Sequence, residues 1–401
     1  MAVQVGNRPA SGPASAPATP RIPFPRAARL KTNLSFVNGP VTLGASSVPF
    51  GPIQIPPNGY LRALNLEINI SSTGNSAVTS ALATGAGNDV PFSFLQQISV
   101  TTSSGDALMV PIDGYAVAML CKYGAFGQSS PFSDPRADPT FASITYGAGA
   151  TAGSATFRLR IPFEIDPATG FGSLPNLAAN RSYYIQGMYN PLSALFTVVP
   201  NGAVTATITA TAEFWSVPND TNAQGDPQET APQGNGSFSV IQFETIPVNA
   251  GAGIYQSHNV GNVIRSLVVV YRDASGTRVV DANLPGVLEF VLNNDLMFYL
   301  TKNELKRQMA NSGFGAQYGA VGAAQNTAQG QDSGVVAYTQ FMGQGQNALN
   351  PDGPRNQYLP TLDATFVQLR GTSWGTSGTL QVYTNSVVPT TAAALYQPHI
   401  Y

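Results

Sequence analysis

Apolar and polar residues alternate along much of this chain, and the alternation predicts β-strands. The clearest run is Tyr60–Ile70, where polar residues separate Leu64, Leu66 and Ile68. Successive side chains of a strand point to opposite faces, so a period of two predicts a strand with one buried face. Shorter strand-like runs, bounded by residues such as Gly, Pro and Asn, cover 34–43, 51–55, 157–165, 181–189, 203–217, 237–248, 267–271, 335–341, 364–370 and 379–388. The pattern therefore predicts an all-β fold.

The stretch Val287–Met309 predicts two strands joined by a tight turn and followed directly by a helix. Its apolar runs, 287–292 and 296–300, flank Asn293-Asn294-Asp295. Asn and Asp tolerate the positive φ angles of a hairpin turn, so the two runs are predicted to pair.

The helix after this hairpin is predicted from Lys302 to Met309. Thr301 and Glu304 have the spacing of a capping box, in which the hydroxyl and the carboxylate satisfy free backbone amides. We expect Lys306 and Arg307 in the last helical turn, where the helix dipole favours positive charge.

The same order of elements occurs in the first half of the chain. Its parts are a strand at Phe92–Thr102, a turn at Ser103–Gly105, a strand at Asp106–Ile112, an N-cap at Asp113, a helix at Tyr115–Tyr123 and a C-cap at Gly124. A second echo relates Gly59–Leu64 to Asn262–Leu267. These repeats predict a duplicated domain.

The duplication predicts two fused eight-stranded jelly rolls, each with a short flanking helix, preceded by an extended N-terminal arm. A propeller fits less well because the repeat is long and occurs only twice. An HK97-type fold fits poorly because no long helix is predicted. The predicted boundaries are 1–30 for the arm, 31–218 for the first unit, 219–236 for a linker, 237–390 for the second unit and 391–401 for a tail.

The composition suits a protein that packs against its own copies. Charged residues are 10% of the chain, against roughly 25% in an ordinary soluble domain. An ordinary polar all-β protein remains the alternative. The net charge of −2 supplies no basic field for nucleic acid, and no direct nucleic-acid binding is expected. The single cysteine, Cys121, permits no internal disulfide and is predicted to be a core thiol. We expect neither a membrane span nor a signal peptide.

The N-terminal segment is rich in Pro, Ala and Ser and is predicted not to fold alone. It is either a solvated disordered arm or an arm that docks on a neighbouring subunit or on anionic lipid headgroups. Ile22-Pro23-Phe24-Pro25 would add apolar anchors to such an arm. The candidate assembly residues are Arg8, Arg21, Phe24, Arg26, Arg29 and Lys31.

Candidate catalytic residues are scarce. His258 and His399 have no ligand partner at metal-binding spacing and are predicted to be surface or interface residues. Gly371–Gly375 matches G-x-S-x-G, but a strand-like run follows it and no acid lies beyond Asp363. We interpret it as a turn between strands. The loop acids Asp134, Asp138 and Asp166 match no calcium motif. We therefore expect no catalytic centre, no cofactor and no metal.

The segments Ile161–Asp166 and Gly172–Asn176 resemble the strand-to-loop region of the first barrel in one viral family. This family is the double jelly-roll major capsid proteins of tectivirus-like icosahedral phages, which are tailless and have an internal membrane. The resemblance implies a structural subunit of the virion, assembled in the host cytoplasm. Its implied partners are two further copies in a homotrimer, neighbouring capsomers, vertex or penton and minor capsid proteins, and the internal membrane beneath the N-terminal arm.

In that family the trimer forms a pseudo-hexagonal capsomer, so six barrels tile the shell. The outward loops would include 71–90, 124–153 and 311–332. The alternative is a trimeric jelly-roll spike that binds a carbohydrate or a receptor, for which only Trp215 and Trp374 are available as tryptophan platforms. A glycoside hydrolase is a weaker alternative because no carboxylate pair can be placed in one cleft.

Overall fold

A computed structural model describes residues 20–72, 89–123, 153–179, 182–197, 199, 202–312, 333–338, 341 and 358–388. Within these ranges the chain forms three β-sheets and four short α-helices. The predicted loops 71–90, 124–153 and 311–332 lie mostly outside them, as do Gly124 and the tail.

The first sheet has five strands from the first unit. They are β1 (Leu30–Leu43), β3 (Gly59–Ser72), β6 (Gly153–Pro162), β7 (Leu174–Asn176) and β9 (Val204–Trp215). The order is β1-β9-β3-β6, and β7 also pairs with β3. Side chains of β9 are alternately buried and half-buried along its whole length, which confirms the period of two in this part of the chain.

The second sheet has nine strands and contains strands from both units. Those of the first unit are β2 (Val48–Ile55), β4 (Leu95–Thr102), β5 (Ala107–Ile112) and β8 (Tyr183–Tyr189). Those of the second unit are β10 (Phe238–Val248), β12 (Val263–Asp273), β15 (Val335–Tyr338), β16 (Leu359–Pro360) and β18 (Gly378–Val388). The order is β15-β12-β18-β10-β5-β4-β8-β2, with β16 beside β12. The units meet where β10 runs parallel to β5.

The third sheet has four strands, all from the second unit. They are β11 (Gly251–Ser257), β13 (Val287–Leu292), β14 (Asp295–Thr301) and β17 (Val367–Trp374), in the order β11-β17-β13-β14. One face of this sheet covers the apolar core of the second unit, here called the second core, which contains Phe290, Leu369 and Trp374.

The strand orders confirm the duplication. Each strand of the first unit has its counterpart nine places later, so β1-β9-β3-β6 corresponds to β10-β18-β12-β15, and β2-β8-β4-β5 to β11-β17-β13-β14. The echo between residues 59–64 and 262–267 has the same basis, because Arg62 and Arg265 both sit at a register shift in equivalent strands. The fold is therefore an all-β double jelly roll.

The helices are α1 (Phe24–Ala27), α2 (Gly114–Tyr123), α3 (Leu192–Leu195) and α4 (Lys302–Ser312). Asp113 caps α2 as predicted, because its carboxylate accepts the backbone N–H of Ala116 at 2.7 Å. The predicted strand at Phe92 is partly wrong: Phe92–Phe94 forms a 3-10 turn and β4 begins at Leu95. Cys121 is a buried thiol, as predicted.

The second hairpin agrees with the prediction, whereas the helix differs at its end and in half of the capping box. Among the described residues, the Glu304 carboxylate accepts from Arg307 and Gln308 and not from a backbone amide. Asn293 has a φ of +52°, as the turn requires, and the hydroxyl of Thr301 accepts the N–H of Glu304 at 3.2 Å. Helix α4 continues to Ser312, so the placement of Lys306 and Arg307 in the last turn is wrong. Lys306 lies in mid-helix, where it is buried and paired with Asp281.

Candidate assembly surfaces

Several charged side chains of the described residues form buried pairs. Within the described ranges, no group of three or more His, Cys, Asp or Glu side chains lies close enough to hold a metal. In the same ranges, no helix is both long and apolar enough to span a membrane. His258 is exposed and contacts Glu244, in agreement with a surface position. His399, Asp134 and Asp138 lie outside the described ranges.

The G-x-S-x-G match is part of the sheet and of the turn that follows it. Gly371–Trp374 is the end of β17, and Gly375 begins the turn to β18. Ser373 is therefore a strand residue without the strand-to-helix turn that a nucleophile elbow requires. Asp166 accepts hydrogen bonds from Ala168 and Thr169, so its carboxylate stabilises a local turn.

A buried ionic cluster joins the two units. Asp89 precedes β4 of the first unit, whereas Arg272 and Arg278 belong to the second. Arg272 Nη1 lies 2.7 Å from Asp89 Oδ2, and Arg278 Nε donates to Asp89 Oδ1 at 2.5 Å. All three side chains are almost fully buried, and Arg278 lies 4.7 Å from the centre of the Tyr115 ring. One carboxylate thus links two guanidinium groups across the junction.

The electrostatics of the cluster favour two charged arginines. Burial opposes the charge of Arg272, but the carboxylates of Asp89 and Asp113 outweigh it and hold its pKa above the ordinary value. Burial raises the pKa of the Asp113 carboxyl, although Arg272 favours its ionised form. Tyr383 donates to Asp113 at 3.1 Å and provides a second polar link between the units. Removing the charge of Asp89 takes away the carboxylate that pairs directly with both buried guanidinium groups.

Sequence reasoning missed this cluster because its members are distant in sequence. The available signal was composition. In a chain with 10% charged residues, Arg272 follows the wholly apolar run Leu267–Tyr271, and a charge at the end of a buried strand requires a partner.

A second buried network lies in the first unit, where the two segments that resemble the viral family, Ile161–Asp166 and Gly172–Asn176, meet. Arg62 Nη2 lies 2.5 Å from Glu164 Oε2, and the indole N–H of Trp215 donates to Glu164 Oε1 at 2.5 Å. The hydroxyl of Ser173 also donates to this carboxylate, at 3.2 Å. Burial raises the pKa of Glu164 in spite of Arg62. The two motif segments therefore meet around one carboxylate, and their role here is structural.

Phe24 of the predicted arm packs on this network. Its ring is fully buried and makes edge contacts with Tyr60 and Trp215, with centroids 5.3 and 6.2 Å apart. Its backbone N–H donates to Glu229 Oε2 at 2.9 Å, and Ile22 forms a parallel bridge with Gln228. The ring of Phe24 thus anchors the arm on the first unit of its own chain. The backbone contacts with Gln228 and Glu229 attach the arm to the segment predicted to be a linker.

The basic arm residues lie around this anchor. Arg21, Arg26, Arg29 and Lys31 are exposed, and Arg8 lies outside the described ranges. Lys31 approaches Asn58 at 3.4 Å. The structure therefore separates the candidate set into one buried aromatic anchor and a group of exposed cations.

Two outer strands carry exposed apolar side chains. On β1, Leu30 and Leu34 are 56% and 63% exposed. On β14, Leu296 and Tyr299 are 54% and 61% exposed. Each strand is the outermost of its sheet among the described residues. An outer strand with apolar side chains is a natural site for association.

Comparison with solved structures supports the fold. No family model and no curated protein matches this chain in sequence. The chain is similar to one in the atomic structure of Sulfolobus Turreted Icosahedral Virus, with a TM-score of 0.55, 12% identity and coverage of 90% of this chain and 91% of that chain. It is also similar to the crystal structure of the STIV MCP, with a TM-score of 0.53, 13% identity and coverage of 90% and 97%. The chain therefore has the double jelly-roll fold of viral major capsid proteins.

Proposed function

We propose that this chain is a major capsid protein, a structural subunit of an icosahedral virion. The observation that carries the proposal is the pair of barrels of like connectivity, fixed to each other by one continuous sheet. Three such chains present six similar barrels, which suits a pseudo-hexagonal capsomer. The buried carboxylates Asp89, Asp113 and Glu164 are engaged in structural pairs, so we propose no catalytic role.

The finer proposal follows the family resemblance. The homotrimers associate with neighbouring capsomers, with vertex or penton proteins and with minor capsid proteins. The shell encloses an internal membrane, as in tectivirus-like phages, and it assembles in the host cytoplasm. The low charge of the chain agrees with close packing of identical copies, because like-charged copies repel one another.

A spike that binds a receptor or a carbohydrate is the alternative, and the tryptophans do not favour it. Trp374 is buried in the second core, and Trp215 is half-buried beneath the guanidinium of Arg62 at 4.5 Å. Neither supplies an exposed stacking platform of the kind that sugar binding favours.

The purified protein is expected to be a trimer. Light scattering at micromolar concentration should give three times the chain mass of 41.9 kDa, and concentrated protein should form hexagonally packed arrays in electron micrographs. A stable monomer under these conditions would contradict the capsid assignment. A trimer that binds glycans and forms no arrays would favour the spike.

We also propose that the arm residues Arg8, Arg21 and Arg26 contact the anionic surface of the internal membrane. Each basic residue near such a surface contributes about 1 kcal/mol of attraction. Replacing Arg21 and Arg26 with Glu should therefore weaken co-sedimentation with vesicles rich in phosphatidylglycerol by at least tenfold, and added salt should weaken binding of the unaltered protein. Arg158→Glu, at an exposed site on β6, is the control. Equal binding of the arm variant and the control would contradict membrane contact.

A further inference from the structure

The contact between the two units within one chain involves two strands whose equivalents, β14 and β1, each have a free edge among the strands that the structure describes. Within the chain, β5 lies beside β10 in parallel orientation, and Met109 faces Ile241. Both side chains are buried there. By the strand correspondence of the two units, β14 is the equivalent of β5, and β1 is the equivalent of β10.

The residue-by-residue correspondence between β14 and β5 follows from the two equivalent hairpins. Ile112 and Leu300 each directly precede a helix cap, and they face Ile98 and Leu288. Two residues further along the partner strands, Val100 faces Met109 and Phe290 faces Phe298. The position of Met109 is therefore occupied by Phe298 in the second unit, with one additional residue bulged out of β5.

The residue-by-residue correspondence between β1 and β10 follows from Arg62 and Arg265, which lie at the register shifts of the equivalent strands β3 and β12. Directly after Arg62, Ala63 pairs with Glu213, and directly after Arg265, Ser266 pairs with Asn385. Glu213 in turn pairs with Thr32 on β1, and Asn385 pairs with Ile241 on β10. The position of Ile241 is therefore occupied by Thr32 in the first unit.

We propose that β14 of one copy lies parallel to β1 of the next copy, with Phe298 facing Thr32, so that a ring of three copies repeats the contact found within each chain. The inference rests on the proposed trimer and names its surface. A head-to-tail contact of this kind uses two different patches of the same chain and closes only when the ring is complete.

The side chains on the two strands agree with this register. It brings Leu30 beside Leu296, both more than half exposed in the single chain, and Leu34 beside Leu300. It also brings the exposed cations Arg29 and Lys31 to the exposed carboxylate of Asp295. A second copy thus supplies apolar cover, opposite charge and an unpaired strand edge at once.

Paired cysteines test the register directly. Residues facing each other in neighbouring strands lie within disulfide reach, about 5.5 Å between Cα atoms. The double variant Leu30→Cys/Leu296→Cys, oxidised and run on a non-reducing gel, should form covalent dimers and trimers, with at least tenfold more linked chain than either single variant. In the control Leu30→Cys/Ile254→Cys, the second cysteine replaces a residue that is 61% exposed on β11, at the edge of the third sheet opposite to β14. This control should link no better than the single variants. Cys121 is buried in every variant.

The outcomes separate the inference from the proposed function. A trimer by light scattering that does not link through Leu30→Cys/Leu296→Cys, or links equally through the control pair, overturns the register and leaves the capsid assignment intact. A monomer overturns both. If the cysteine variants do not fold, charge reversal replaces them. Arg29→Glu or Asp295→Lys alone should raise the trimer dissociation constant by about two- to fivefold per contact, and the double variant should restore it. Absence of that rescue also overturns the inference.

Discussion

Replacing Asp89 with asparagine is expected to lower the free energy of unfolding by about 3–5 kcal/mol. The substitution keeps the size of the side chain but removes the one carboxylate that pairs directly with both Arg272 and Arg278. Both guanidinium groups are buried, so neither can recover its hydration without opening the junction between the units. Denaturant unfolding followed by tryptophan fluorescence measures the loss.

An exposed ion pair provides the matched control. Glu67 and Arg158 lie 2.7 Å apart, but their side chains are 45% and 66% exposed. Water and salt screen such a pair, so Glu67→Gln should cost about 0–1 kcal/mol. If Asp89→Asn were no more destabilising than Glu67→Gln, the buried cluster would not be what holds the two units in place.

Replacing Phe24 with alanine is expected to release residues 20–29 from the first unit. The fully buried ring contacts Tyr60 and Trp215, and truncation of a buried Phe typically costs about 3–5 kcal/mol. Because the residue lies at the edge of the fold, the cost should appear as local opening. Trypsin cleavage after Arg26 should accelerate by at least about a hundredfold, while the main unfolding transition stays almost unchanged.

Two results would limit this interpretation of Phe24. Phe24→Leu keeps most of the apolar volume and should be cleaved much more slowly than Phe24→Ala. Unchanged cleavage in Phe24→Ala would mean that the hydrogen bond to Glu229 and the bridge between Ile22 and Gln228 suffice to hold the segment.

The elements that local rules govern could be predicted from the sequence. Turn residues, helix caps and a period of two identified the hairpin 287–301, its helix and the earlier copy, because each signal lies within a few neighbouring residues. The duplication followed from comparing these local patterns. The family resemblance rested on segments that the structure brings together around Glu164.

The contacts between distant segments could not be predicted in the same way. The pairing of β5 with β10, the pairing of Asp89 with two arginines and the burial of Lys306 all depend on the arrangement of complete units. Phe24 illustrates the difference. The sequence predicted an apolar anchor in extended form, for an arm that docks on a neighbouring subunit or on lipid. The structure instead places Phe24 in the short helix α1, with its ring buried against Trp215 and Tyr60 of the same chain.

Under the proposed capsid role, the nine-stranded sheet also bears on how a curved wall can be made from this chain. A hydrogen-bonded sheet resists creasing along a line that would cut its ladder, and the seam between β5 and β10 is reinforced by ion pairs. We therefore expect each chain to behave as a stiff plate. A closed container built from such plates must take up its curvature along the boundaries between molecules, where contacts between chains can tilt without breaking a strand pair inside either plate.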